Sequence, residues 1–279
     1  MDRRHVTGPE RSVAPLPAGS MNEAVATTQA QTAMFFDTQR NRQDGRTIDA
    51  MRPIFLKTGL INQASGSAYF EQNNIRVACG VYGPRQNTQA QFNENARLDC
   101  GFKFATFACD KRRQFQRDPE ERELSQILIQ ALTPAVRLGM YPKSTIDIYV
   151  TVIQSDGWWS TLAAAITCAS VALVDAGIDV IDIVTASAVL VLPDGNVVDA
   201  TQQEEQALSA QPPKCHGSLV VAQLPTHNEI AHVVQTGKMT PAQLTKAIDT
   251  CLGDSAKVHS VVSYYLREAV LATEPSVLA

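Results

Sequence analysis

A chain of 279 residues that is 44% hydrophobic and 19% charged holds enough apolar material for one large domain or two small ones. Its net charge of −4 and sequence pI near 5.7 argue against a generally basic nucleic-acid binder, though a basic patch on an acidic body stays open. No apolar run reaches the roughly 20 uninterrupted residues of a membrane span. The opening MDRRHVTGPERS is charged and lacks an apolar signal core. The expected setting is cytosolic or nuclear, with no membrane partner. Six scattered cysteines (Cys79, Cys100, Cys109, Cys168, Cys215, Cys251) form no CxxC pair and read as reduced, mostly buried thiols. The alternative, zinc held by Cys100, Cys109 and a histidine, fits no common spacing.

Residues 1–41 are rich in Pro, Gln, Thr and Ala and read as a partly disordered extension. Its Arg3-Arg4 and Gly8-Pro9-Glu10 either dock on a neighbour or stay solvated. Organised structure is expected from Arg42. Ile54 to Gly59, Ala68 to Phe70 and Arg76 to Tyr82 read as strands around a Ser65-Gly66-Ser67 turn and an Asn73-Asn74 hairpin. A polar loop spans Gln86 to Asn95, and Arg97 to Cys109 alternates as a further strand. A basic cluster follows, Lys111-Arg112-Arg113, with Phe115 and Arg117. It is either a solvated loop or, beside aromatic rings, a track for a phosphate backbone.

Glu120 to Leu138 carries a helical stripe (Leu124, Ile127, Leu128, Ala131, Leu132, Ala135, Val136), which Pro134 is expected to kink. Ile146 to Ile153 reads as a half-buried strand, followed by a turn at Ser155-Asp156-Gly157. From Thr161 to Asp175 the residues are nearly all small or apolar. That predicts a helix packed closely against other elements, with Gly177 as its stop. A second β-rich unit begins at Ile181. Its strands are Val184 to Leu192, Asn196 to Val198, Ser218 to Leu224 and Glu229 to Gln235, with a hairpin turn at Asp194-Gly195. Thr240 to Leu271 reads as a long closing helix, capped by Thr240, with Pro241 in its first turn and Gly253 as a bend point. His216, His227 and His232 have no spacing that suggests a ligand set.

Several short strings in this order resemble the RNase PH family. They are Asp44-Gly45-Arg46, Arg52-Pro53-Ile54, Gly66-Ser67-Ala68, Gly83-Pro84-Arg85, the ERELS of Glu121 to Ser125, and Tyr141-Pro142 with Ser144 and Ile146-Asp147-Ile148. Asp156-Gly157 and the run from Ala172 to Ile178 complete the set, which covers about four-fifths of the chain. The resemblance implies an α+β, RNase PH-like fold of two packed β-α halves, of the ribosomal protein S5 domain 2-like kind. The halves are expected at 42–180 and 181–272, with a tail at 273–279.

RNase PH-type enzymes shorten RNA from its 3′ end with phosphate as the nucleophile. That chemistry needs cations and amides to hold the anion, and carboxylates to bind a metal or move a proton. Catalytic members follow the Asp-Gly turn with Gly-Thr-Arg; here Asp156-Gly157 is followed by Trp158, Trp159, Ser160 and Thr161, so the arginine clamp is absent. Ser160, Thr161 and the local amides are the residual phosphate holders. Of the two aspartates expected about six positions apart, Asp199 matches the first and Glu205, after Glu204, stands at the second. That pair is either a degenerate carboxylate site or an exposed acidic helix start after the Asp199 turn.

The D…EE form is similar to that of non-catalytic ring subunits of the eukaryotic RNA exosome. Those of the mRNA transport regulator type share the RR and GPE strings of the amino terminus. They also share Gly59, Leu60, Gln63, Ala64, Gly66 to Tyr69 and Glu71, with Glu120 to Leu124 and Ala135 to Gly139. The resemblance therefore implies a structural subunit of a six-membered ring around a single-stranded RNA channel, with no catalytic residue, cofactor or metal of its own. Implied partners are like-folded ring subunits, S1/KH-type cap subunits and a hydrolytic exoribonuclease. The implied roles are rRNA processing, mRNA decay and RNA quality control, in the nucleus and nucleolus and also the cytoplasm. Channel-facing RNA contacts are expected among Arg85, Arg97, Lys103, Lys111, Arg112, Arg113 and Arg122. The alternative is a phosphorolytic 3′ exoribonuclease in a homo- or hetero-ring, with residues contributed in trans.

Overall fold

A computed structural model describes residues 42, 44–86, 93–116, 118–192, 195–209 and 217–273. The expected extension (1–41), the tail from 274, Arg117, Asp194, Cys215 and His216 lie outside the described residues. The chain divides into a unit at Met1–Arg46 and one at Thr47–Ala279, and the second holds every element below.

Five strands, β1 (Ile54–Thr58), β2 (Gly66–Gln72), β3 (Ile75–Gln86), β4 (Arg97–Phe104) and β5 (Ser144–Gln154), form a sheet in the order β1-β2-β3-β5-β4. Asn73 adopts φ 54° in the β2–β3 hairpin, a left-handed conformation that asparagine tolerates. The alternation in the sequence is a face assignment: Ile146, Ile148, Val150 and Val152 point into the core, and Tyr149 out. Only β4 and β5 are parallel, so a crossover must join them.

That crossover is α1 (Pro119–Leu132), shorter than the predicted helix to Leu138. Pro134 ends it rather than kinking it. The ring has no N–H to donate and would press on the preceding turn. Val136 instead bridges to Val180, and a 3-10 turn follows at Leu138–Met140. β4 also stops early, at Phe104, and residues 105–109 turn away from the sheet. At the start of α1, the Asp118 N–H donates to the Glu121 carboxylate at 3.3 Å. The Glu121 side chain, fully buried, also accepts from the Phe104 N–H and the Lys103 ammonium.

The small-residue helix is α2 (Trp158–Asp175), buried at every position from Ser160 to Leu173. By length and composition it could cross a membrane, but 78% of it is enclosed by the rest of the fold as a core helix. Its small side chains let the backbones on either side come close. A Cβ on Gly66 would lie 2.1 Å from the Ala176 amide nitrogen, so only glycine fits there. Two of its hydroxyls reach the second sheet, where Ser170 and Thr167 accept from the N–H groups of Val184 and Ala186.

That sheet contains β6 (Thr185–Leu192), β7 (Gly195–Val198), β8 (Gly217–Leu224) and β9 (Glu229–Gly237), antiparallel in the order β7-β6-β8-β9. α3 (Gln202–Ser209) follows β7. α4 (Pro241–Thr273) covers the outer face and runs through Gly253. Thr240 caps α4 by accepting the Gln243 N–H, and the Gln243 amide oxygen accepts the Thr240 N–H in return. A polar seam ties α4 to β6: Ser187 Oγ donates to the Cys251 carbonyl at 2.9 Å, and the Thr185 and Ser255 hydroxyls share a 2.7 Å bond. One apolar core runs through both sheets around α2, and a smaller one lies under α4.

Cys79, Cys100, Cys168 and Cys251 sit in these cores, and Cys109 is half-buried. Burial pushes the Cys100 and Cys251 thiols up to about 12, and those of Cys79 and Cys168 well above their usual range. A thiol held protonated in an apolar core does not react. Iodoacetamide at pH 8 is therefore expected to leave these four unmodified in the native protein and to label them after denaturation. Native-state labelling at any of the four would contradict this packing.

Candidate functional site

Before β1 the chain buries an arginine. The Arg52 side chain has no exposed surface, and its head is held by two aspartates from distant loops. Nε donates to Asp199 Oδ2 at 2.8 Å and Nη2 to Asp199 Oδ1 at 2.5 Å, a two-pronged pair. Nη1 donates to Asp156 Oδ2 at 2.9 Å. Two more donors converge on Asp199 Oδ2, the Arg52 N–H and Gln72 Nε2, both at 3.0 Å. Asp199 is 4% exposed and follows β7 in a left-handed conformation (φ 51°). Its carboxylate is saturated by protein donors.

The other carboxylates close the start of α2. Gly157 precedes that helix at φ 98°, where a Cβ would meet the Ala200 carbonyl at 2.8 Å and Glu205 Oε1 at 3.1 Å. Glycine is therefore obligatory at this join. The first amides of a helix lack internal acceptors and carry partial positive charge. Here they have one: Glu205 accepts from the Trp158 N–H at 2.7 Å and the Trp159 N–H at 3.2 Å. Burial raises the Glu205 carboxyl to about 7, against the pull of those two amides and of Arg52, with Asp156 adding to the rise.

The remaining anion holders are engaged too. Ser160 Oγ donates to the Ala200 carbonyl at 2.8 Å, and Thr161 Oγ1 donates to the Gly157 carbonyl. Asp156 Oδ1 accepts the Gln202 N–H at 3.0 Å, tying α3 to the turn. The two indoles meet edge to face at 4.4 Å and pack partly against the core. Asp156, Gly157, Trp158, Trp159, Ser160, Asp199 and Glu205 thus converge in one place.

The alternative of an exposed acidic helix start at Glu204-Glu205 does not hold. Glu204 is 9% exposed and accepts the Thr201 N–H, and Glu205 faces inward on α2. Arg52 and Gln72 are central to the site and were not candidates. Nothing near them in the sequence shows that they meet residues 104 to 147 positions away.

The seven basic candidates separate into two groups. Lys103 pairs with buried Glu121 at 3.1 Å. Arg113 pairs with Glu120 at 2.9 Å and lies 4.3 Å from the centre of the Phe104 ring. Both are braces within the fold rather than free contacts. Arg85, Arg97, Lys111, Arg112 and Arg122 are exposed. Arg85 and Arg97 flank Thr145 from β3 and β4, with Arg85 stacked 5.4 Å from the Tyr82 ring. Among the described residues no group of histidine, cysteine or carboxylate side chains is placed to hold a metal. His232 is half-buried on β9, and His227 is exposed in the preceding turn.

A mixed sheet crossing to a buried helix, a second antiparallel sheet, and a carboxylate-rich join at that helix's start define an RNase PH-class architecture. Residues 50–179 match the 3′ exoribonuclease family, domain 1 (RNase PH). The exosome complex component mtr3 of Schizosaccharomyces pombe is 35% identical over 267 residues, spanning 95% of both chains. The human exosome complex component MTR3 is 34% identical over 254 residues, 85% of this chain and 84% of that one. Archaeal exosome components named Rrp41 match at 29–32%. In shape the chain is similar to rice Rrp46, with a TM-score of 0.71 at 24% identity, over 81% of this chain and 100% of that one. The chain belongs to the RNase PH family, among its exosome complex components.

Proposed function

We propose that this chain is a non-catalytic structural subunit of a six-membered exosome ring. There it lines an RNA channel and supports 3′-to-5′ RNA processing and decay. One observation carries the non-catalytic reading: the protein's own carboxyl group fills the start of α2. Phosphorolysis needs that helix start for an anionic nucleophile, and carboxylates free to bind a metal or move a proton. Here an entering phosphate meets Glu205 oxygens in place of amide protons, and Asp199 is spent on Arg52. Trp158, Trp159 and Ser160 stand where the resemblance implies Gly-Thr-Arg, so the arginine of the clamp is absent. The groups of an anion site persist, but they face one another.

The extent of the likeness to exosome components supports like-folded ring neighbours, S1/KH-type cap subunits and a hydrolytic nuclease as partners. Nuclear, nucleolar and cytoplasmic residence follows from the same reading. The purified chain, given single-stranded RNA and phosphate, is expected to release no nucleoside diphosphate. Release that disappears in Asp199→Asn would overturn the non-catalytic role. In native mass spectrometry of gently purified particles, one copy beside several different RNase PH-like chains is expected. A homo-hexamer would overturn the ring assignment.

A further inference from the structure

Along β5 the side chains that point away from the core form three rows with their neighbours on β3 and β4. Thr145 lies between Arg85 and Arg97, Asp147 between Tyr82 and Asp99, and Tyr149 between Gly80 and Gly101. Successive rows are about 6.7 Å apart, the two-residue repeat of a strand, and neighbours within a row about 4.8 Å. The surface is thus a cationic row, an anionic row and an aromatic row. The Tyr82 and Tyr149 rings meet edge to face at 5.8 Å, and with only glycines beside it Tyr149 stays 51% exposed. Asp99 and Asp147 are like charges set directly opposite each other, which costs stability. Neither they nor Arg85 and Arg97 form an ion pair among the described residues.

We propose that this sheet face docks an extended segment of a protein partner in which an acidic, a basic and an apolar side chain follow at two-residue spacing. A segment laid along β5 has the same repeat as the rows. Its acid then meets Arg85 and Arg97, its base meets Asp147 and Asp99, and its apolar group covers Tyr149. The base also reaches the two tyrosine rings, whose faces attract cations. Arg85, 5.4 Å from the centre of the Tyr82 ring, already makes that kind of contact from within the fold. Charge complementarity selects the occupant. A nucleic acid that followed the two arginines would run its phosphates onto the two carboxylates of the next row. A purely apolar partner would bury four charges without partners. The proposal goes beyond ring membership and does not depend on it.

The test is fluorescence anisotropy of the full-length chain at low salt with a labelled heptapeptide, Gly-Glu-Thr-Arg-Thr-Leu-Gly. The control is the same peptide with Glu and Arg exchanged. The first is expected to bind about tenfold more tightly, because the exchanged peptide sets like charges together in both rows. Asp99→Asn with Asp147→Asn removes the carboxylates without adding bulk. That variant should fold, gain thermal stability from the relieved repulsion and lose the preference. Arg85→Glu, Arg97→Glu, Asp99→Lys and Asp147→Lys together should invert it. Equal affinity for the two peptides, or no binding of either by the wild-type chain, would overturn the proposal. So would displacement of the peptide by an oligouridylate, which would give the face to RNA. Self-association of the chain that the two asparagines abolish would give it to a second copy and refute the proposal as well. Copy number in the particle tests the ring reading separately, so each can fail alone.

Discussion

Arg52→Ala is expected to destabilise the protein by about 3–5 kcal/mol, because it strands buried Asp199 and half-buried Asp156 without their cation. For a chain of this size that corresponds to a fall in Tm of roughly 6–20 °C. Arg52→Lys should recover only part of the loss, since an ammonium cannot span both Asp199 oxygens in plane. The penalty is that of an uncompensated charge, so neutralising the partner should relieve it. Asp199→Asn placed in the Arg52→Met background is expected to be more stable than Arg52→Met alone. Additive losses in that double-mutant cycle would show that the two side chains do not depend on each other, contrary to the geometry.

Stability is expected to carry the mark of Glu205 between pH 4.5 and 7. Its usual value of 4.5 is raised to about 7 in the fold. Across that window the unfolded chain has released the proton while the folded chain still holds it. Folding is therefore favoured below the window and loses this contribution as pH rises through it, with no further change above. A carboxyl raised from 4.5 to about 7 corresponds to something on the order of 3 kcal/mol. Glu205→Gln abolishes the titration and keeps an oxygen for only one of the two amides, a cost that does not vary with pH. Relative to wild type the variant should gain stability steadily from pH 4.5 to 7 and then level off. A difference between the two proteins that stays constant from pH 4 to 8 would exclude Glu205 as the titrating group. On the proposed non-catalytic reading the same variant is expected to release no nucleoside diphosphate either, because a neutral amide still fills the helix start.

Local pattern located nearly all the strands and the buried helix. Alternation is enough to assign a strand face, as from Ile146 to Ile153, and a run of small residues is enough to announce a helix between two sheets. It failed where a steric veto overrides periodicity. The apolar stripe continues past Pro134 to Val136, but the imide ring ends α1 at Leu132, and those residues bridge to Val180 instead. The basic loop shows the same limit from another side. Lys111, Arg112 and Arg113 look equivalent as a string, yet only Arg113 is held by Glu120 and Phe104, contacts that exist once α1 has folded back beside β4.

The sequence alone therefore determined the family, the order of elements and the loss of the threonine-arginine clamp, because each is written in neighbouring residues. It also named both carboxylate positions. What only the tertiary structure decided is their use. Asp199 and Glu205 could equally have been open to solvent and to a metal. They became a neutralised pair and a helix plug because the chain brings Arg52 and Gln72 from the first sheet, and the start of α2, against the turn after β7. A charge taken from water must find a partner, and a helix start must find an acceptor. In this protein the fold supplies both from within.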